Sequence, residues 1–192
     1  MDRSGGPPPE TRRGEPLRPW TIPNAVSYVR LALLPVFLVL ALRSGDGRDT
    51  SAALLYFAIA WGDQLDGLAA RLTGQYSRLG SLLDPLTDRA LVLCGVVVCW
   101  DFELLPRWAL AVLAGRELFM LVLTRVGMRR GMDLKINMVG RWAVWPVMLA
   151  IFLTLLVDTW VADACLYLGV ALTLWATAIY VQDGLRFTKA SS

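Results

Sequence analysis

The chain contains no histidine and only three cysteines in 192 residues. The first absence removes imidazole acid–base chemistry and leaves carboxylates as the available bases. Cys94, Cys99 and Cys165 form an odd set without a C-x2-C spacing, each inside an apolar stretch. Neither a disulfide framework nor a zinc site is therefore expected. Charge is also scarce, at 18% of residues, against about a quarter in soluble domains. No internal repeat is visible, which argues against the inverted-repeat build of many transporters. A cleavable leader needs an apolar run of about 7–15 residues behind a positive start. Residues 1–19 are rich in Pro, Gly and Arg and lack such a run, so they are expected to form a disordered cytosolic tail. Its arginines could touch anionic headgroups.

Apolar residues are abundant, at 56%. They concentrate in six stretches, 24–43, 52–72, 86–104, 107–126, 139–158 and 162–183, close to the roughly 20 residues that span a bilayer as a helix. The expected fold is all-α: a polytopic membrane protein with six transmembrane helices in one domain, 20–187, followed by a short tail, 188–192. Pro23 and Asn24 mark the start of the first helix, and Pro106 is expected in the first turn of the fourth. Pro35 and Pro146 fall inside helices, where they can bend them. Trp100, Trp108, Trp142, Trp145 and Trp160 lie near expected helix ends, where interfacial aromatics gather.

Cation placement sets the expected orientation. One side carries Arg3, Arg12, Arg13 and Arg18, then Arg71, Arg78 and Arg89. It also carries Arg125, Arg129, Arg130, Lys135 and Arg141, and finally Arg186 and Lys189. The other side has only Arg43, Arg48 and Arg107. The positive-inside rule then puts both termini in the cytosol of a multi-pass cell-membrane protein.

The chemistry concentrates in Asp63-Gln-Leu-Asp66-Gly67-Leu-Ala-Ala70-Arg71 and Gly80-Ser-Leu-Leu-Asp84-Pro-Leu-Thr-Asp88. A carboxylate at the centre of a membrane helix costs about 2.5–3.5 kcal/mol on insertion scales, less toward the ends. Asp63 and Asp66 are spaced i, i+3, and Asp84 and Asp88 i, i+4, so each pair shares a helical face. A hairpin of these helices gathers four carboxylates in one water-accessible pocket, where mutual repulsion calls for a cation. Hard oxygen donors without His or Cys suit Mg²⁺ or Mn²⁺. Two such ions can clamp a pyrophosphate between attacking and leaving oxygens. Gly67, Ala70 and Gly80 would let a flat ligand approach, although ordinary small-residue helix packing is the favoured account of each taken singly. Pro85 interrupts the second pair and is expected in a first turn, where it is tolerated.

These residues resemble the signature of the CDP-alcohol phosphatidyltransferases, D-x2-D-G-x2-A-R, eight residues, then G-x3-D-x3-D, and Asp63 to Asp88 match it at every fixed position. The resemblance implies six transmembrane helices, usually a homodimer, with the motif on helices two and three. It implies that Asp63, Asp66 and Asp84 bind two metal ions, and that Asp88 lies at the same centre as the proposed general base. Asp66, Gly67, Ala70, Arg71 and Gly80 would border the CDP moiety. Deprotonated by Asp88, the acceptor hydroxyl would attack the β-phosphorus of CDP-diacylglycerol and release CMP. Such transfer is mostly positioning and charge stabilisation.

Arg30, Arg116 and Glu117 are charges inside expected membrane helices, and such residues are functional candidates. Arg30 could hold a lipid or acceptor phosphate bidentately; so could Arg116, for which an internal salt bridge to a neighbouring helix is the competing expectation. Arg141, after Gly140, falls where related enzymes often carry a basic residue beside the acceptor. A positive-inside flank explains it as well. Asp183 has no assignment. The opening Trp20-Thr-Ile-Pro-Asn24-Ala-Val-Ser27-Tyr-Val-Arg30 is similar to phosphatidylglycerophosphate synthases and to CDP-diacylglycerol-dependent cardiolipin synthases. This favours glycerol 3-phosphate or phosphatidylglycerol as the phosphate-bearing acceptor. Membrane lipids are the expected surroundings, and no nucleic-acid partner is expected. The alternatives are another acceptor, such as inositol phosphate, or a carboxylate-lined ion transporter.

Overall fold

A computed structural model describes residues 21–73, 79–129 and 138–190, with side chains described outside 23, 63–73, 81, 82, 84, 85, 121, 124–129, 138–142 and 183–190. The N-terminal segment 1–19 lies outside these residues. The described residues form six helices: α1 (Ile22–Arg43), α2 (Thr50–Thr73), α3 (Gly80–Asp101), α4 (Arg107–Arg129), α5 (Met138–Leu156) and α6 (Trp160–Ala190).

Local chemistry sets the ends. Extended Thr21 caps α1, its Oγ1 accepting from Asn24 N at 3.4 Å, with Pro23 in the first turn. Asp49 Oδ1 accepts from Ala52 N at 2.7 Å. That cap starts α2 at Thr50, two residues before the apolar stretch does. α3 begins at Gly80, six residues before its apolar run, so Pro85 falls in the second turn rather than the first. There it removes one helical hydrogen bond. Pro106 precedes α4 instead of opening it. Its carbonyl accepts from Ala109 N at 3.0 Å and Leu110 N at 3.2 Å.

α1 packs on α2 and α3, α2 also on α5, and α4 on α3 and α6, while α5 and α6 share the most extensive interface. At Gly169 an added Cβ would lie 2.5 Å from Val147 Cγ2 and 3.0 Å from Val147 N. Only a glycine lets α6 approach α5 so closely, as small residues do in membrane bundles. The core includes Phe37, Tyr56, Ile59, Leu91, Leu110 and Ile151.

The outside is apolar as well. Val29, Leu54, Val97, Val122, Leu168 and Trp175 are all more than half exposed, a surface that water disfavours and lipid accepts. Exposed Trp100, Trp108 and Trp160 sit at the end of α3 and at the starts of α4 and α6. Among the described residues, Asn24–Arg43 and Trp160–Gln182 are each long and apolar enough to cross a membrane. Thr50–Gly62 and Ala143–Leu156 are shorter apolar helical segments.

Candidate active site

Five of the sequence-identified positions lie near one end of a three-helix cluster. Asp88 is eight residues into α3 and Arg30 eight residues into α1, each about 12 Å from the helix start at the helical rise. Asp66 and Asp63 precede the end of α2 by seven and ten residues, about 10 and 15 Å. Asp84 lies four residues into α3. The side chains of Asp63, Asp66, Gly67, Ala70, Arg71, Asp84 and Arg141 lie outside the described residues. Their helical positions stand: the first five on α2, Asp84 on α3 and Arg141 on α5. Gly80 is buried as the first residue of α3.

Arg30 joins the three helices. Its side chain is 3% exposed. Its Nε donates to the carbonyl of Ile59 on α2 at 2.9 Å, and its Nη2 donates to Asp88 Oδ1 on α3 at 2.9 Å. The stem runs across Gly62, where an added Cβ would come within 2.8 Å of Arg30 Cδ. Helical register puts positions 63 and 66 one turn beyond Ile59 and Gly62 on the same face of α2. The contact that fixes Asp88 thus fixes it against the face carrying the other helix's aspartates.

The donor set fits a divalent cation. The motif supplies carboxylates alone, the donors that hard cations take. Asp88, the member whose side chain is described, keeps about a third of its surface open, at 34%. Among the described residues no three His, Cys, Asp or Glu groups gather to hold a metal, Asp88 being the single described member of the quartet.

A second polar cluster stands behind α3. Glu117 of α4 is 5% exposed. It pairs with Arg116 beside it and, at 3.9 Å, with Arg89 Nε of α3. Arg116 Nε donates to Thr177 Oγ1 of α6 at 3.1 Å, and Thr177 donates to Thr173 O at 2.8 Å. Among the described residues Arg116 forms its salt bridge with Glu117 of its own helix, not with a neighbouring helix as the competing expectation had it. Charge counting read Arg89 only as a topology residue and missed its ion pair. Asn24 and Ser27 were also missed as buried polar residues of α1, at 0% and 1% exposure, preceding Arg30 by two turns and one. The signal available was their spacing with Arg30, since polar residues at i, i+3 and i+6 mark one side of an otherwise apolar helix.

One turn before Asp63, an apolar cleft lined by Tyr56, Phe57, Trp61, Trp145, Met148 and Phe152 opens between α2 and α5. Phe57 stacks on Trp61 with centroids 5.7 Å apart.

An all-helical fold with an acidic motif split across the adjoining ends of α2 and α3 defines a recognisable class. Residues 20–175 match the family model of the CDP-alcohol phosphatidyltransferases, and the chain belongs to that family. A CMP-forming cardiolipin synthase of Streptomyces coelicolor is 38% identical over 191 residues, covering 95% of this chain and 89% of that protein. A CDP-diacylglycerol–glycerol-3-phosphate 3-phosphatidyltransferase of Bacillus subtilis is 28% identical over 192 residues, covering 90% of this chain and 100% of that protein. Another of that name, from Cereibacter sphaeroides, is 29% identical over 136 residues, covering 69% of this chain and 62% of that protein.

Proposed function

We propose that the chain transfers a phosphatidyl group from CDP-diacylglycerol to a glycerol-based acceptor, releasing CMP in phospholipid synthesis. The observation that carries this is the complete eight-position signature on α2 and α3 within a family match over residues 20–175. Phosphatidylglycerol is the favoured acceptor, because identity with the cardiolipin synthase reaches 38% over nearly the whole chain. Glycerol 3-phosphate is the second reading, supported by the Bacillus relative.

In this account six helices cross the cell membrane as a homodimer, with both termini and the site in the cytosol. The charge asymmetry supports the orientation, and the exposed apolar flanks support the lipid surroundings. Asp63, Asp66, Asp84 and Asp88 would hold two Mg²⁺ or Mn²⁺ ions. When bound, these neutralise charge on the pyrophosphate and stabilise the leaving CMP.

The chain's own residues do the rest. Gly67, Ala70 and Gly80 leave room for the cytidine, and Arg71 borders it beside Asp66. Asp88 takes the proton of the acceptor hydroxyl. That oxygen bonds to the β-phosphorus, the bond from this phosphorus to the oxygen of CMP breaks, and CMP leaves. The cleft between α2 and α5 suits an acyl chain, being lined by aromatic and aliphatic carbon. Arg30 and Arg116 can reach an acceptor phosphate only with donors that Ile59, Asp88, Glu117 and Thr177 leave over. Arg141 is the acceptor residue we favour.

The test is CMP release by purified protein given CDP-diacylglycerol, Mg²⁺ or Mn²⁺ and a panel of acceptors. Phosphatidylglycerol should be consumed. Asp88→Asn should abolish release while the protein still folds, with a loss of about 100-fold or more, as for an essential base. Normal release by that variant would remove Asp88 from the reaction, and consumption of neither glycerol-based acceptor would refute the acceptor assignment.

A further inference from the structure

We infer that Arg30 is a positioning residue for Asp88, holding the α3 carboxylate against α2, and that Gly62 is a glycine to let the Arg30 stem pass. The inference rests on the proposed role of Asp88 in the transfer.

Three observations support it. First, Arg30 divides its donors between two helices, Nε to the Ile59 carbonyl and Nη2 to Asp88 Oδ1, both at 2.9 Å. A planar guanidinium can serve two acceptors in fixed directions at once, whereas a lysine ammonium is a point donor on a flexible stem. Second, the burial is lopsided: the arginine side chain is 3% exposed and the aspartate 34%. A pair whose sole task was to neutralise charge in the interior would bury both members. Here the cation is sealed among helices while the carboxylate reaches open space. Third, Gly62 leaves the room that the stem occupies. A Cβ there would lie 2.8 Å from Arg30 Cδ, 3.0 Å from Nε and 3.1 Å from Cγ. These atoms are not a free end that can swing aside, because Nε is bonded to Ile59.

Asn24 and Ser27 continue the buried polar side of α1 toward its start. Through Arg30, α1 takes part in a site whose signature lies wholly on α2 and α3. A small displacement of Asp88 matters because transfer rates depend steeply on the placement of the reacting groups.

The experiment uses the full chain in lipid nanodiscs, comparing Arg30→Gln, Arg30→Lys, Gly62→Ala, Asp88→Asn and the pair Arg30→Gln/Gly62→Ala. The expected result is a fall in kcat of about tenfold or more for Arg30→Gln and for Gly62→Ala. KM for both substrates should stay within about twofold of the unmodified chain, as for an interaction used in the transition state. Arg30→Lys should recover part of the loss. The paired variant should be no slower than Arg30→Gln alone, since Gly62 acts through Arg30.

A second readout needs no turnover. In chelator-treated protein, a thermal-unfolding cycle on Arg30→Gln and Asp88→Asn should show coupling between the two positions. If Arg30→Gln fails to fold, Gly62→Ala, which keeps the arginine, carries the kinetic test. Wild-type kcat in Gly62→Ala and Arg30→Gln, with Asp88→Asn inactive, overturns the positioning role and leaves the proposed reaction standing. A raised KM for the acceptor at unchanged kcat also overturns it, assigning Arg30 to acceptor binding. Full activity in Asp88→Asn overturns the reaction itself, and the inference with it.

Discussion

At the residue scale, polar atoms inside this bundle divide into those with partners and those without. Arg30, Arg116 and Glu117 are buried and bonded. The Tyr56 hydroxyl, fully buried beside Phe37 with ring centroids 5.3 Å apart, finds no partner among the described residues. An orphaned buried hydroxyl forfeits hydration without return. Tyr56→Phe should accordingly leave thermal stability unchanged or raise it by about 1 kcal/mol, read as the unfolding midpoint in detergent; a clear drop would mean that the hydroxyl is bonded after all. The signature that places this chain in its family was legible in the sequence because its aspartates are local, at i, i+3 and i, i+4. Arg30 was legible only as an intramembrane charge. Its partners, Ile59 and Asp88, are distant in sequence, and no spacing rule ties residue 30 to residue 88.

At the element scale, hydropathy located all six helices yet misplaced several ends. The errors have a common cause. Apolar counting starts where polar residues stop, whereas a helix starts where backbone amides find an acceptor. Asp49 therefore draws α2 back to Thr50, and α3 begins at Gly80 with Asp84, Pro85 and Asp88 already inside it. These polar turns carry the second half of the acidic motif, so apolar counting left out the opening turns of a helix that bears it. α3 is also tied on both sides at consecutive residues, Asp88 to α1 through Arg30 and Arg89 to α4 through Glu117. Removing Glu117 leaves Arg116, a side chain 9% exposed, without its anion. Glu117→Leu should destabilise the protein by about 3 kcal/mol. Replacing Arg116 by Met in the same protein should recover most of the loss, both measured by thermal unfolding. Equal stability of Glu117→Leu and the unmodified chain would show that the cluster contributes nothing.

At the scale of the whole molecule, two solvents explain what one cannot. Large apolar residues cover the outside, tryptophans sit at helix ends, and the polar groups gather between α1, α2 and α3 or behind α3. Composition made the apolar exterior legible, but not the neighbour pattern of the helices. Nothing linear states that α5 packs chiefly on α6, or that α2 reaches α5; those pairings follow from close approaches such as Gly169 on Val147. The account depends on this arrangement delivering the acidic residues of α2 and α3 to one place. The most direct measurement is anomalous scattering from crystals of the protein grown with Mn²⁺. The account predicts manganese between α2 and α3, in contact with carboxylates of Asp63, Asp66, Asp84 and Asp88. Manganese bound elsewhere, or those carboxylates turned into separate surroundings with no ion among them, would contradict it.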